Sequence, residues 1–190
     1  MENSTVNYNT DELEYRCFEA LVEMMKTRDL DKCPTAELLE RANVSRSSFY
    51  RHYQDKYDLL NKSYDKLLDH TFFTVNEGYS YKKTFLQLYT VLQDHSDFFR
   101  HAFNTGGQNS LKDNILSRMQ EGMKGMLQEH GVSMNDRYNR YLLSGYLNGT
   151  LEITYEWIMN GAQESPDTML RLVYALMPEE IRTVVALYYM

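Results

Sequence analysis

Apolar positions recur every three or four residues along most of this chain, and that period predicts helices almost throughout. Leu13, Cys17, Leu21 and Met24 or Met25 form one stripe with Phe18 beside it, so an amphipathic helix is expected from 11 to about 28. The stretch "RDLDKCPT" breaks the period. Pro34 closes that loop, and Thr35 stands where a side-chain oxygen would cap the free amides of a helix over 36–41. In "NVS", Asn43 tolerates the left-handed conformation of a tight turn, and Ser45 caps a short helix from Arg46 to about Tyr53. Asp55 caps a fourth helix through Tyr57, Leu60, Tyr64, Leu67 and Leu68. Two short helices joined by a three- or four-residue turn, flanked by longer ones, have the helix-turn-helix layout.

Beyond "NEGYSYKK" the elements lengthen, with helices expected near 82–93, 96–103, 110–130, 134–160, 166–177 and 179–189. "SPD" at 165–167 supplies a Ser cap, a Pro at the first helical position and an acid at the positive helix end. "NTGGQNS" and "EHGVS" mark breaks. The predicted fold class is all-α: an N-terminal three-helix domain with a helix-turn-helix over 1–56, linked through a helix over 57–74 to a C-terminal helical bundle over 75–190.

Composition agrees: with only 3 Pro and 9 Gly in 190 residues, helix is favoured over sheet. Two cysteines, Cys17 and Cys33, lie 16 positions apart without a CxxC spacing. They read as core thiols in a reducing compartment. The N-terminus has neither the basic nor the apolar region of a secretory signal, and no run approaches 18 apolar residues, so a cytoplasmic protein without a membrane span is expected. GxGxxG, P-loop, HExxH and GxSxG patterns are absent. No catalytic residue, cofactor or metal set is therefore assigned. Asp97 and His101 share a helix face at four-residue spacing, half of a metal site without a visible third ligand.

A net charge of −7 argues against a surface that binds polyanions everywhere, so any such site is local. From Arg41 to Lys56 four Lys or Arg face one Asp, whereas residues 1–70 hold 10 Lys or Arg against 14 Asp or Glu. Taken alone, a Ser-capped helix with Arg and Tyr is an ordinary solvated element. Yet Arg46 opens the helix, where a guanidinium can bond guanine O6 and N7 together, and Ser47 and Ser48 let the backbone approach the bases. Phe49 faces the core, Tyr50, Arg51 and His52 lie one turn on, and Lys56 opens the next helix.

"TAELLERANVSRSSFYRHYQDKYDLL" resembles the DNA-binding segment of TetR-type repressors in helix spacing, turn and the Tyr-x-His-x-x-x-Lys signature before Leu-Leu. The resemblance spans about 11–68, with Asn43 at the usual glycine and no Lys or Arg in the arm before residue 11. It implies that Thr35 contacts phosphate, that Arg46, Ser47 and Ser48 read bases, and that Tyr50, His52 and Lys56, with Arg51, clamp the backbone of a double-stranded operator. It also implies a homodimer whose C-terminal domain mediates dimerisation and takes a small-molecule effector or a protein partner. "DFFRHAFNTGGQNSL" and "GYLNGTLEITYEWIMNGAQESPD" more loosely resemble a subgroup that includes dihydroxyacetone kinase regulators.

Gly145 and Gly149, one turn apart, would admit a close helix from either the same chain or a second copy. Ile181, Val184, Val185 and Tyr188 on the final helix could complete a four-helix interface. Phe99, Phe103, Tyr146 and Trp157 are the candidate pocket lining, although such aromatics are more often simply core. A rival function is a dimeric ligand- or protein-binding regulator whose helix-turn-helix no longer reads DNA.

Overall fold

The computed structural model describes residues 12–71, 80–104 and 110–188. The arm before residue 11 and the breaks in "NEGYSYKK" and "NTGGQNS" thus fall wholly or largely outside the described residues. The order is α1 (Glu12–Met25), α2 (Thr35–Ala42), α3 (Arg46–His52), α4 (Lys56–Thr71), α5 (Tyr81–Asp94), α6 (Ser96–Phe103), α7 (Leu111–Glu129), α8 (Arg137–Met159), α9 (Pro166–Ala175) and α10 (Glu179–Ala186). A single 3-10 turn, Leu30–Lys32, interrupts the loop before α2. The described residues contain no strand, and the protein is all-α.

Local chemistry explains most boundaries. Ser80, Ser110, Asp136 and Ser165 each accept a backbone amide of the helix they precede, which satisfies one of its free donors. Asp136 takes the Tyr138 amide, so α8 starts at Arg137 rather than at 134. Pro178 disfavours helical geometry before it, and α9 stops at Ala175.

The α1 stripe of Cys17, Leu21, Met24 and Met25 is buried and packs on α2 and α4. α4 packs also on α5 and α7, and α1 on α6, so the first three helices are not a detached module. Polar contacts reinforce this. Arg118 of α7 donates to Asp69 of α4 at 2.6 Å, Asn114 to Asp65 at 2.9 Å, and Lys66 of α4 pairs with Glu14 of α1. Phe18 meets Phe98 edge to face at 6.0 Å. Both thiols are fully buried and outside any disulfide, and desolvation pushes Cys17 up to about 11.

One expectation needs correction, and one alternative is closed. Ile181, Val184 and Val185 are buried inside their own protomer, so the apolar face of α10 is unavailable to a partner. Of the two neighbours open to Gly145 and Gly149, a helix of the same chain is not found among the described residues: a Cβ at either would meet nothing within 4 Å. No helix among the described residues is long and apolar enough to cross a membrane.

Candidate nucleic-acid interface

The reading head begins at the turn. Asn43 adopts φ 51, ψ 49, the left-handed region its short amide tolerates, and its amide closes on Glu40 while Val44 closes on Leu39 at 3.0 Å. Arg16, reaching from α1, donates to the Asn43 carbonyl at 3.3 Å. Ser45 then caps α3, accepting the Ser48 amide at 3.1 Å and donating to the Ser48 hydroxyl at 2.9 Å; the Ser47 hydroxyl lies 3.1 Å away.

Seven residues are too few for an independent helix, so packing must hold α3. Phe49 is fully buried, as the pattern of its neighbours required, and Tyr53 packs against it at 5.3 Å. Beside Glu14, burial drives the Tyr53 phenol far above its ordinary range. Lys62 of α4 donates to the His52 carbonyl at 2.9 Å and lies 5.5 Å from the Tyr53 ring. Neither Arg16 nor Lys62 stood out in the sequence. Lys62 also pairs with Asp58 at 3.0 Å, and nothing in that four-residue spacing points to His52.

What faces outward is Arg46, Ser47, Tyr50, Arg51 and His52, with Ser48 half-buried. The Arg46 guanidinium makes no hydrogen bond or ion pair to the described residues. Arg51 donates to Ser48 Oγ at 3.3 Å, and Tyr50, 48% exposed, stands edge-on to Phe49. Arg41 is matched by Glu37, whose carboxyl is held low first by Arg28 and then by Arg41 itself.

Two residues sit differently from expectation. Thr35 is the first residue inside α2, not its cap; Pro34 occupies the cap position in extended geometry, and no side chain caps the helix. Pro34 lacks any side-chain acceptor, and Thr35, already helical, cannot fold back on the amides ahead of it. Lys56 opens α4 as expected, but its ammonium donates to the carbonyls of Leu30 at 2.7 Å, Asp31 at 3.2 Å and Cys33 at 2.8 Å.

In the C-terminal region a cavity of about 30 Å³ is lined by neutral residues, among them Tyr64, Tyr89, Phe103, Met119 and Thr150. Of the four aromatics singled out as a pocket lining, only Phe103 reaches it. Phe99 packs edge-on to Tyr64, the Tyr146 hydroxyl meets that of Tyr81, and Trp157 Nε1 donates to the Glu164 carbonyl. Asp97 pairs with Arg100 while His101 Nδ1 bonds Asp29 at 2.8 Å, so the two diverge. No group of three His, Cys, Asp or Glu among the described residues could hold a metal.

The model for bacterial regulatory proteins of the tetR family matches residues 18–62, covering α2, α3 and the turn. A second model, a transcriptional regulator C-terminal region of the same family, matches residues 80–179, more than half of the chain. No curated protein matches the sequence. Among solved structures, the dihydroxyacetone kinase operon activator DhaS is similar in fold, with 13% identity and a TM-score of 0.64 over 94% of this chain and 98% of that one. With both halves matched in order, the chain belongs to the TetR family of transcriptional regulators.

Proposed function

We propose that the protein binds a palindromic operator as a homodimer through α3, under the control of a small ligand or partner protein acting on its C-terminal domain. The observation that carries this reading is Arg46: an exposed guanidinium without a partner in the described protein, at the first position of a helix held at both ends. Such a group can make a bidentate contact to guanine without first breaking a protein contact. In this reading Ser47 and Ser48 complete the base-facing turn, and the exposed Tyr50, Arg51 and His52, with the half-buried Thr35, hold phosphates and fix register.

A second copy accounts for the open face of α8. Tyr138 and Tyr141 are 59% and 67% exposed, and the adjoining Gly145 and Gly149 leave room for a close helix. Leu172 and Leu176 of α9 are exposed as well. A DNA target places the protein with the chromosome in the cytoplasm. The cavity has room for a water or two, so an organic effector enters only by repacking its walls.

In a selection from genomic fragments with the purified protein, an inverted repeat should be enriched whose half-sites place two α3 helices about 34–36 Å apart or somewhat more. Arg46→Ala should cost about 1–3 kcal/mol of operator affinity and relax preference at one base pair. Equal losses on operator and random duplex remove Arg46 from base reading. An absence of any enriched sequence at low salt favours the rival regulator that does not read DNA, which the acidic balance of the first 70 residues motivates.

A further inference from the structure

We propose that Lys56 is a positioning residue for the reading head and not a phosphate ligand, an inference that rests on the DNA-binding reading above. An ammonium has three donors and no more. All three are used by the carbonyls of Leu30, Asp31 and Cys33, contributed by a single 3-10 turn and the residue after it. The Leu30 carbonyl also accepts the Cys33 amide at 2.9 Å, so there the cation adds to a bond already made, and the end of a turn, where carbonyls converge, favours a cation.

The location of Lys56 points the same way. It is the first residue of α4, where the helix dipole disfavours a cation, so α4 itself gains nothing from a lysine here. Its neighbour grips the same turn: the Tyr57 hydroxyl donates to Asp31 Oδ1 at 2.8 Å, and the Lys56 ammonium lies 5.4 Å from the Tyr57 ring. Two consecutive α4 residues thus hold the segment that ends, through Cys33 and Pro34, at Thr35.

The consequence is geometric. α4 holds the end of α3 through Lys62 and the start of α2 through Lys56, so it sets both helices of the reading head against each other. Asp29, just before the turn, is held by His101 of α6, which ties the same segment to the C-terminal region.

The test compares full-length wild type, Lys56→Met, Lys56→Arg, Thr35→Val and the Lys56→Met/Thr35→Val double variant on the best duplex from the genomic selection, across a salt series. As a pin, Lys56→Met weakens binding roughly tenfold, the scale of lost charge-assisted hydrogen bonds, without changing the salt slope. Lys56→Arg fails similarly, because a planar guanidinium does not match three carbonyls converging on one point. The loss in Lys56→Met shrinks in the Thr35→Val background, since the two act along one route. A slope shallower by about 0.9 in Lys56→Met and restored in Lys56→Arg marks a phosphate contact and overturns the proposal. Wild-type affinity in both Lys56 variants, or losses that add with Thr35→Val, overturns it too. Amide exchange supplies a readout independent of DNA: in Lys56→Met the Lys32, Cys33 and Leu38 amides should exchange faster while α8 is unchanged, and unaltered protection rejects the pin. If wild type binds no duplex, the operator reading fails while exchange still decides the role of Lys56.

Discussion

Asn43, at φ 51, carries the turn on a backbone conformation that a β-branched residue resists. Asn43→Val should therefore destabilise the protein by about 1–2 kcal/mol, whereas Asn43→Gly should be neutral or slightly stabilising, as measured by urea unfolding. Equal stability of the two variants would mean that the turn relaxes to another geometry. Asn43, Ser45 and Phe49 were legible in the sequence because their roles depend on neighbours within four residues. Arg16 and Lys56 were not, because their partners lie 27 and 23–26 positions away and a lysine stem looks the same whichever acceptor it finds. Thr35 misled because Thr is a good cap and Pro34 a good helix opener, and only the backbone showed that Pro34 holds the cap position.

Among elements, α10 departed from its expected part while α8 kept an open face. Both carry apolar residues at helical spacing, but α10 turns Ile181, Val184 and Val185 into its own protomer while α8 leaves Tyr138, Tyr141 and Gly145 outside. Periodicity shows that a face is apolar without saying which neighbour covers it. Because a Cβ at Gly145 meets nothing within the protomer, Gly145→Ala should raise protomer stability by about 0.5–1 kcal/mol through better helix propensity. Gly145→Leu should instead break the dimer if the partner's helix rests there. Sedimentation of both variants over a concentration series checks this, and an unchanged dimer in Gly145→Leu moves the interface elsewhere.

At the scale of the molecule, the first three helices and the C-terminal region are joined by side chains that respond to acid. The Asp29 carboxyl is held below its ordinary value chiefly by the hydrogen bond from His101, then by Lys32 and Asn104. Glu37 is held low chiefly by Arg28. A folded-state pKa below the unfolded one contributes stability that is complete above the ordinary carboxylate range, about pH 4, and is lost as pH falls through the folded value. Thermal unfolding between pH 7 and pH 2.5 should thus show a decline below about pH 4 that is shallower in Asp29→Asn. Parallel profiles for the two proteins would show that Asp29 adds nothing to acid sensitivity.

The sequence by itself determined the all-α class, the Ser45 cap and the turn of the helix-turn-helix, the burial of Phe49 and both thiols, and the family. These follow from interactions within one or two helical turns or from a pattern of residue types along one segment. The tertiary structure alone decided that Lys56 is already engaged, that Arg46 has no partner among the described residues, and which apolar faces are closed. Charge and apolarity are properties of a residue, but their satisfaction depends on which distant groups the fold brings within a few ångströms.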